Sequence, residues 1–317
     1  MDAAALVDGD SGAGSIPRRA AGDSVVSVTG FRKTYRKRLA VDEIDLHVRR
    51  GELYGLLGPD GAGKSSLMKA IAGVMTFDSG VVSVFDVPLD SEASAESVKS
   101  RIGFMPQGLG LNLYPELTVE ENIDFFARLR LVAEQDLTVR KDELLAMTRL
   151  EPFRDRSMKQ LSGGMKQKLG LICTLIHGPE ILILDEPTTG VDPVSRRDFW
   201  SILSRLVRKE SITAIVTTAY MDEASRFHRL TLMYEGRVLA EGDPESVCRM
   251  AGGTVVTVTS PDLPVAGAAL QTSFAQVQPE GEWMRVFVDE PVPASAVENV
   301  QAALATDHCS SSATSCE

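Results

Sequence analysis

The sequence predicts an α/β fold with a core of buried strands and covering helices, followed by a small C-terminal α+β appendage. Three observations predict it. Short apolar runs at residues 181–184, 212–217 and 230–234 have the composition of strands buried on both faces of a sheet. A strand at 52–57 runs through a glycine-rich loop into a helix at 64–72. Near residue 252 the composition changes to shorter, alternating segments.

The other elements follow from periodicity and capping. We expect further strands at 25–28, 40–48, 81–84 and 102–105. Thr118 and Glu121 form a capping box that starts a helix reaching about residue 131. Later helices are expected at 136–149, 162–176 and 244–250. The appendage combines strands at 254–260 and 283–288 with a weak helix at 293–305.

Charge and hydropathy narrow the class of protein. The 317 residues carry 33 basic and 44 acidic side chains, a formal charge of −11, which argues against a nucleic-acid partner. No apolar run approaches the roughly 18–20 residues that span a bilayer, and no secretion signal follows Met1. Four cysteines in a chain of this length predict no disulfide framework. We therefore expect a cytoplasmic protein that would reach a membrane only through a partner.

Composition also predicts the domain limits. Residues 1–24 are rich in Ala, Gly, Asp and Ser, which is typical of a disordered tail. A main domain is expected at 25–250 and a small α+β domain at 251–305. A second disordered tail is expected at 306–317.

The glycine-rich loop carries the clearest chemistry. Residues 58–65 match G-x-x-x-x-G-K-[ST], a loop that holds nucleotide phosphates with backbone N–H groups and a helix N-terminus. Lys64 would contact the β- and γ-phosphates, and the Ser65 hydroxyl would bind Mg²⁺. The nucleotide-binding residues expected in this segment are Gly58, Pro59, Asp60, Gly61, Ala62, Gly63, Lys64, Ser65 and Ser66.

An acidic pair follows the apolar run at 181–184. Asp185, at the mouth of a buried strand, would hold Mg²⁺, because this chemistry needs a carboxylate that faces the phosphate loop. Glu186 would orient or deprotonate the attacking water.

A third motif lies between these two. Leu161-Ser162-Gly163-Gly164-Met165 starts a helix, and Ser162 with two glycines at a helix N-terminus predicts a second anion site. The three motifs, in this order and spacing, resemble the signature of ATP-binding cassette (ABC) proteins. The resemblance covers about residues 25–250.

The resemblance implies an architecture and a mode of action. The fold would be a P-loop NTPase cassette with a RecA-like core, an antiparallel β subdomain and a helical subdomain at about 108–178. A second cassette, identical or different, would pair with it head to tail. Ser162, Gly163 and Gly164 of one cassette would then close over the ATP held by the other.

Further positions match the family. Tyr35 lies 23 residues before Gly58, where the family has an aromatic that stacks on adenine. Gln107 matches the glutamine that senses the γ-phosphate and faces the membrane partner, and residues 189–192 match a loop that crosses the dimer interface. With ATP and Mg²⁺ as cofactors, the resemblance implies Glu186, Lys64 and Gln107 as catalytic residues and Ser65, Gln107 and Asp185 as metal ligands.

The sequence departs from the family pattern at two positions. Met165 stands where the signature usually has glutamine. Ala219 stands where the family has a histidine that contacts the γ-phosphate, and no histidine of the chain lies within three residues of it. A methyl group cannot hydrogen-bond a phosphate, so the second departure predicts slow hydrolysis.

The leading interpretation is the ATP-hydrolysing subunit of an ABC exporter. The glycine-rich loop and the small appendage resemble ABC-2-type multidrug or antibiotic export ATPases. Such a subunit would lie on the inner face of the cell membrane, bound to an integral-membrane permease. Two alternatives stay open: a regulatory cassette that barely hydrolyses ATP, and a soluble ABC protein that acts on ribosomes or DNA. A single cassette, no heptad run and no C-x₂-C pair argue against the latter.

Overall fold

The computed structural model describes residues 24–108, 112–250, 252–305 and 312–315. They belong to two compact units, Met1–Glu241 and Gly242–Glu317. Apart from Ser24, the tail predicted at 1–24 lies outside the described residues. The predicted domain limits at 250 and 305 stay a prediction.

Fourteen strands and nine helices are found in the described parts of the chain. The strands are β1 (Ser24–Tyr35), β2 (Arg38–Arg49), β3 (Leu53–Leu57), β4 (Ser79–Val84), β5 (Val87–Pro88), β6 (Ile102–Met105), β7 (Ile181–Asp185), β8 (Thr213–Thr218), β9 (Arg229–Tyr234), β10 (Arg237–Gly242), β11 (Thr254–Thr259), β12 (Gln276–Glu280), β13 (Trp283–Val288) and β14 (Ser312–Ser315). The helices are α1 (Lys64–Ile71), α2 (Glu92–Lys99), α3 (Val119–Leu129), α4 (Glu134–Thr148), α5 (Gly163–Leu175), α6 (Pro193–Glu210), α7 (Pro244–Met250), α8 (Leu263–Ser273) and α9 (Pro293–Ala305).

Two sheets build the first unit. Six strands form a mixed core sheet in the order β10-β9-β3-β8-β7-β6, in which β3, β6, β7, β8 and β9 pair in parallel. All residues of β3, β7 and β8 are buried. That pattern explains their apolar runs, because parallel strands are covered on both faces. A second sheet, β2-β1-β4-β5, is antiparallel. The predicted α/β class is confirmed.

Helices α3, α4 and α5 share a hydrophobic core of their own, which includes Ile123, Leu145 and Ile172. The predicted capping box is confirmed: Thr118 Oγ1 accepts the Glu121 backbone N–H at 3.1 Å, and Glu121 Oε2 accepts the Thr118 N–H at 2.8 Å. This segment coincides with the expected helical subdomain and contains the Ser-Gly-Gly motif at the start of α5.

Helix α6 was not expected from the sequence. It begins with an Asp192 cap, whose carboxylate accepts the N–H groups of Val194 and Ser195, and with Pro193 in its first turn. Trp200 of α6 is fully buried, and its indole N–H donates to Glu223 Oε1 at 2.8 Å. The same carboxylate oxygen accepts the Thr188 hydroxyl at 2.9 Å. Glu223 thus ties α6 to the loop that follows β7.

The second unit begins with α7, which a βαββαβ arrangement follows. Its sheet has the order β12-β13-β11-β14, and all pairs are antiparallel. Residues 312–315, within the expected disordered tail, form β14 on the edge of β11. The reason is long-range backbone pairing, which leaves no local signature in so serine-rich a segment. Residues 306–311 and 316–317 of that tail lie outside the described residues.

Every helix in the described parts of the chain is too short or too polar to cross a bilayer.

Candidate nucleotide-binding site

The candidate site lies at one edge of the core sheet. Parallel strands β3, β8 and β7 are neighbours, with Leu57 beside Thr218 and Asp185 beside Thr217. Their carboxyl ends therefore meet at the same edge, and the segments that follow them are the phosphate loop, residues 219–220 and the acidic pair. Ligands of such sheets bind at the carboxyl ends of the strands.

The phosphate loop leaves β3 in a conformation that requires glycine. Gly58 has a φ of 151°, and a Cβ there would lie 2.1 Å from the backbone oxygen of Met233. Its N–H donates to the Thr218 backbone oxygen at 3.3 Å, which joins the loop to the end of β8. The loop then enters α1 at Lys64, so the first N–H groups of that helix are available to an anion.

Lys64 is buried in the loop, with only 3% of its surface exposed. Its Nζ donates to the backbone oxygens of Gly58 and Pro59 at 2.7 and 3.0 Å. It also lies 3.3 Å from Glu186 Oε1. The ammonium group is thus held at the loop by carbonyl oxygens and balanced by a carboxylate.

The Glu186 side chain contacts three other side chains at the site. Its Oε2 accepts the Gln107 side-chain amide at 2.7 Å and the Thr189 hydroxyl at 3.3 Å, in addition to the Lys64 contact at Oε1. Its φ is 49°, a left-handed conformation that is uncommon for a residue with a side chain. Such strain is characteristic of functional sites, where the surrounding structure imposes it.

Asp185 faces the start of α1. Its Oδ1 accepts the hydroxyls of Ser65 at 3.0 Å and of Thr217 at 2.7 Å. Its Oδ2 is buried and has no hydrogen-bond partner. A buried carboxylate oxygen without a partner, next to a serine hydroxyl, suits a hard cation that prefers oxygen ligands. Within the described ranges no cluster of three His, Cys, Asp or Glu side chains could hold a metal alone, so a bound ion would need ligands from elsewhere.

Tyr35 flanks the loop. Its ring is half exposed, and its hydroxyl lies 3.2 Å from Ser66 Oγ and 2.9 Å from Met75 Sδ. These contacts keep the ring beside the first turn of α1.

Known proteins similar to this chain define its family. The ABC transporter family model matches residues 41–189. The Nod factor export ATP-binding protein I of Burkholderia thailandensis is 38% identical over 267 residues, which cover 83% of this chain and 86% of that protein. The chain belongs to the ABC transporter family. Its sequence is similar to those of ATP-binding proteins of transporters in that family.

Other relatives agree with this assignment. The probable multidrug ABC transporter ATP-binding protein YbhF of Escherichia coli is 40% identical over 243 residues, or 75% of this chain. The aligned part spans only 41% of YbhF. Among solved structures, cbiO1 of Clostridium perfringens, part of the transporter complex cbiONQ, aligns with a TM-score of 0.67, 28% identity and coverage of 72% of this chain and 92% of cbiO1. The cassette MJ0796, in a dimeric post-hydrolysis state with ADP and Pi, aligns with a TM-score of 0.63 and 26% identity. That alignment covers 69% of this chain and 98% of MJ0796.

The Ser-Gly-Gly motif of the cassette lies apart from its own phosphate loop. Ser162 caps α5 and accepts the Met165 N–H at 3.3 Å. A Cβ on Gly164 would lie 2.2 Å from Ser195 Oγ, so α5 and α6 approach each other as closely as a glycine allows. Among the described residues, no hydrogen bond or ion pair joins 162–164 to 58–66. The predicted nucleotide contact of this motif stays a prediction.

Ala219 is exposed directly after β8, next to the Thr218 oxygen that Gly58 binds. The described histidines lie elsewhere. His228 Nδ1 accepts the N–H of Leu53, at the opposite end of β3. His177 contacts the oxygen of Ile102, at the start of β6, and burial lowers its pKa to about 4. His47 lies in β2, 3.2 Å from the Ser27 hydroxyl. None of these three histidines can replace the missing imidazole.

Two residues near the site escaped sequence analysis. Thr217 accepts the Glu186 N–H at 2.8 Å while it donates to Asp185, so it fixes both acidic residues. The sequence feature that could have indicated this role is a threonine at the end of a buried strand. Arg38 Nη2 lies 3.8 Å from where a Cβ on Gly61 would be. This proximity depends on how β2 folds back over the loop, which no local pattern reveals.

The structure brings together Lys64, Ser65, Gln107, Asp185 and Glu186. Tyr35 and Ser66 lie beside them, whereas Ser162, Gly163 and Gly164 do not join them within one chain.

Proposed function

We propose that this cassette is the ATP-driven motor of an ABC-2-type exporter. The observation that carries the proposal is the convergence of a phosphate loop, its lysine and two carboxylates at one sheet edge. Similarity to the Nod factor and multidrug proteins supports export as the direction of transport. The subunit would work as a peripheral protein on the cytoplasmic face of the membrane.

Nucleotide binding uses the loop. The N–H groups at the start of α1 hold the phosphates, and Lys64 exchanges its contact with Glu186 for the β- and γ-phosphate oxygens. Tyr35 stacks on adenine. Arg38 adds a positive charge beside Gly61.

Ser65 and Asp185 would hold Mg²⁺, with Gln107 as a further ligand. The ion would neutralise negative charge on the phosphates. Asp185 Oδ2 supports this assignment because burial without a partner costs about 1–3 kcal/mol, which a ligand would offset.

Hydrolysis depends on Glu186. Once Lys64 binds phosphate, the Glu186 carboxylate is free to orient a water molecule and accept its proton. Gln107 and Thr189 keep it aimed through hydrogen bonds to Oε2. A general base of this kind contributes roughly 10²–10⁴-fold to the rate.

The second anion site requires a second cassette. Ser162, Gly163 and Gly164 of the partner would close over the γ-phosphate, as the solvent-facing position of Ser162 allows. Two ATP molecules would thus hold the two cassettes together as a dimer, and hydrolysis would let the cassettes separate.

An apolar surface on α3 supports a membrane partner. Leu129, the last residue of α3, and Leu131 just beyond it are 63% and 90% exposed, and the rings of Tyr114 and Phe125 pack 4.5 Å apart. Phe125 and Leu129 also line an open groove of about 590 Å³. Exposed apolar groups of this extent mark interaction sites, and a permease is the partner that an exporter requires.

The test is co-purification of the cassette with an integral-membrane protein from detergent-solubilised membranes of its host. We expect the wild type to retain that protein and Leu129→Asp to reduce its recovery at least about tenfold, because a buried unpaired carboxylate opposes docking. Val139→Asp, on the exposed face of α4, is the matched control. Mg-ATP binding should be the same in all three. Equal recovery with both variants would contradict docking through α3.

A regulatory cassette with weak hydrolysis remains the second candidate. Ala219 favours it, since the position next to Gly58 offers only a methyl group to the γ-phosphate.

Replacing Ala219 with histidine should separate the two candidates. We expect the ATPase rate of the purified cassette to rise, since one preorganised contact to developing charge is worth about 10²–10³-fold at comparable sites. Ala219→Leu adds bulk without a donor and should not raise it. Steady-state phosphate release, with and without the membrane partner, measures both. A wild-type rate that is already high and that histidine leaves unchanged would show that another group makes the contact.

A further inference from the structure

The turn that carries Glu186 has a conformation that its own sequence does not favour. Glu186 has a φ of 49°, which is uncommon for a residue with a side chain. Pro187 follows it, and a proline ring further restricts the backbone of the residue before it. Both residues are buried. Contacts from the surrounding structure must therefore impose this conformation.

Gln167, in the second turn of α5, makes one of these contacts. Its side-chain amide donates to the backbone oxygen of Pro187. Proline has no N–H, so this oxygen is the one backbone group through which a hydrogen bond can hold Pro187. A carbonyl oxygen only accepts, so the amide N–H of Gln167 is what the bond requires. Only 3% of Gln167 is exposed, which keeps bulk water away from the bond.

A second buried side chain holds the next residue of the turn. Glu223 Oε1, in the segment after β8, accepts the Thr188 hydroxyl at 2.9 Å. Thr189 in turn donates to Glu186 Oε2 at 3.3 Å. The turn is thus fixed at Pro187 from α5 and at Thr188 by Glu223. Loss of one contact would loosen the turn without releasing it.

Helix α5 does not depend on Gln167 for its own position. Lys168 Nζ donates to Asp198 of α6 at 3.0 Å. Leu169 and Ile172 belong to the buried core that α5 shares with α3 and α4. The hydrogen bond of Gln167 therefore serves the turn after β7 rather than the packing of the helix.

We infer that Gln167 is a positioning residue for Glu186: its bond to Pro187 aims the Glu186 carboxylate at the attacking water. The inference rests on the proposed function, in which Glu186 is the general base. It also connects two sites. Helix α5 begins with the Ser-Gly-Gly motif at 162–164, and Gln167 lies one helical turn beyond that motif. The helix that would close over one ATP is thus bonded to the turn that holds the base for the other.

The test removes the amide and keeps the volume of the side chain. Gln167→Met has an unbranched side chain of similar length but no N–H donor. We expect kcat for phosphate release to fall by about 10–10²-fold, since a small misplacement of a catalytic group can cost about 10²-fold. The Kd for Mg-ATP, measured by calorimetry, should stay unchanged because no phosphate contact is removed.

Thr174→Val is the matched control. Thr174 lies on the same helix, is buried, and its hydroxyl donates to the Gly170 oxygen at 2.8 Å. Valine keeps the shape and removes one buried hydrogen bond from α5, but that bond lies within the helix. This variant should match the wild type in kcat, and thermal unfolding compares the stability of the two variants. If Gln167→Met does not retain Mg-ATP binding, Gln167→Leu takes its place.

A double-mutant cycle with Glu186→Gln separates positioning from a structural effect. If Gln167 acts through the Glu186 carboxylate, Gln167→Met should not slow hydrolysis further once that carboxylate is gone. A general loosening of the fold would lower the rate by the same factor in both backgrounds. Equal factors would therefore overturn the inference, and so would a wild-type kcat in Gln167→Met.

The result for Glu186→Gln alone tells the two proposals apart. If that variant releases phosphate like the wild type, the proposed role of Glu186 fails, and the inference fails with it. If Glu186→Gln is slow and Gln167→Met is not, the inference alone fails.

Discussion

Lys64→Ala should abolish tight binding of Mg-ATP. Lys64 is the only basic residue in the phosphate loop at 58–65, and hydrogen bonds to charged groups contribute about 1.5–3 kcal/mol each. Loss of its contacts to two phosphates therefore weakens binding by roughly 10²–10⁴-fold. Isothermal calorimetry on the purified cassette measures the change. Lys69→Ala, on the exposed side of the same helix, is the control for charge.

Removal of Lys64 also leaves the buried Glu186 without its cation, which threatens stability as well as binding. The double variant Lys64→Ala, Glu186→Gln resolves this. It should recover thermal stability relative to Lys64→Ala, while Mg-ATP binding stays lost. Wild-type affinity in Lys64→Ala would refute the assignment of the phosphate loop.

Glu186→Gln should separate binding from turnover. The amide keeps the size of the side chain and can still accept the Gln107 N–H, but it cannot take a proton from water. We expect phosphate release to fall by about 10²–10⁴-fold with ATP affinity retained. With hydrolysis blocked, a dimer should accumulate in Mg-ATP, which light scattering on a sizing column detects.

Glu210→Gln, at the exposed end of α6, is the matched control for this variant. It should hydrolyse ATP like the wild type and should not accumulate as a dimer. Undiminished phosphate release from Glu186→Gln would mean that the base lies elsewhere. A variant that stays monomeric at saturating Mg-ATP would count against the two-cassette sandwich.

The parts of the site that sequence analysis anticipated are those built locally. The phosphate loop, the acidic pair and the capped start of α5 each depend on neighbours within a few residues, so their chemistry is written in short motifs. The contacts between these motifs could not be predicted in the same way. Lys64 and Glu186 are 122 positions apart, and their ion pair depends on β8 lying between β3 and β7. No local pattern predicts that strand order.

The same contrast holds for the fold. Buried strands such as β6 and β7 were predicted nearly residue for residue, because both faces are covered and their sequences are uniformly apolar. Helix α6 was missed although Asp192 and Pro193 are good start signals, since Asp192 was interpreted only as the end of an interface loop at 189–192. Its apolar residues recur at helical spacing from Phe199 to Val207. β14 was missed because its pairing with β11 is long-range.

The strand order of the core sheet has a consequence for synthesis of the chain. β8 pairs with both β3 and β7 and separates them, yet it leaves the ribosome after either neighbour. Until residues 213–218 emerge, the strand that pairs with both β3 and β7 is absent. In an incomplete chain, the phosphate loop and the acidic pair are therefore not yet aligned by the core sheet. We therefore expect the Mg-nucleotide site to form late in synthesis, in a single step, when β8 pairs with β3 and β7.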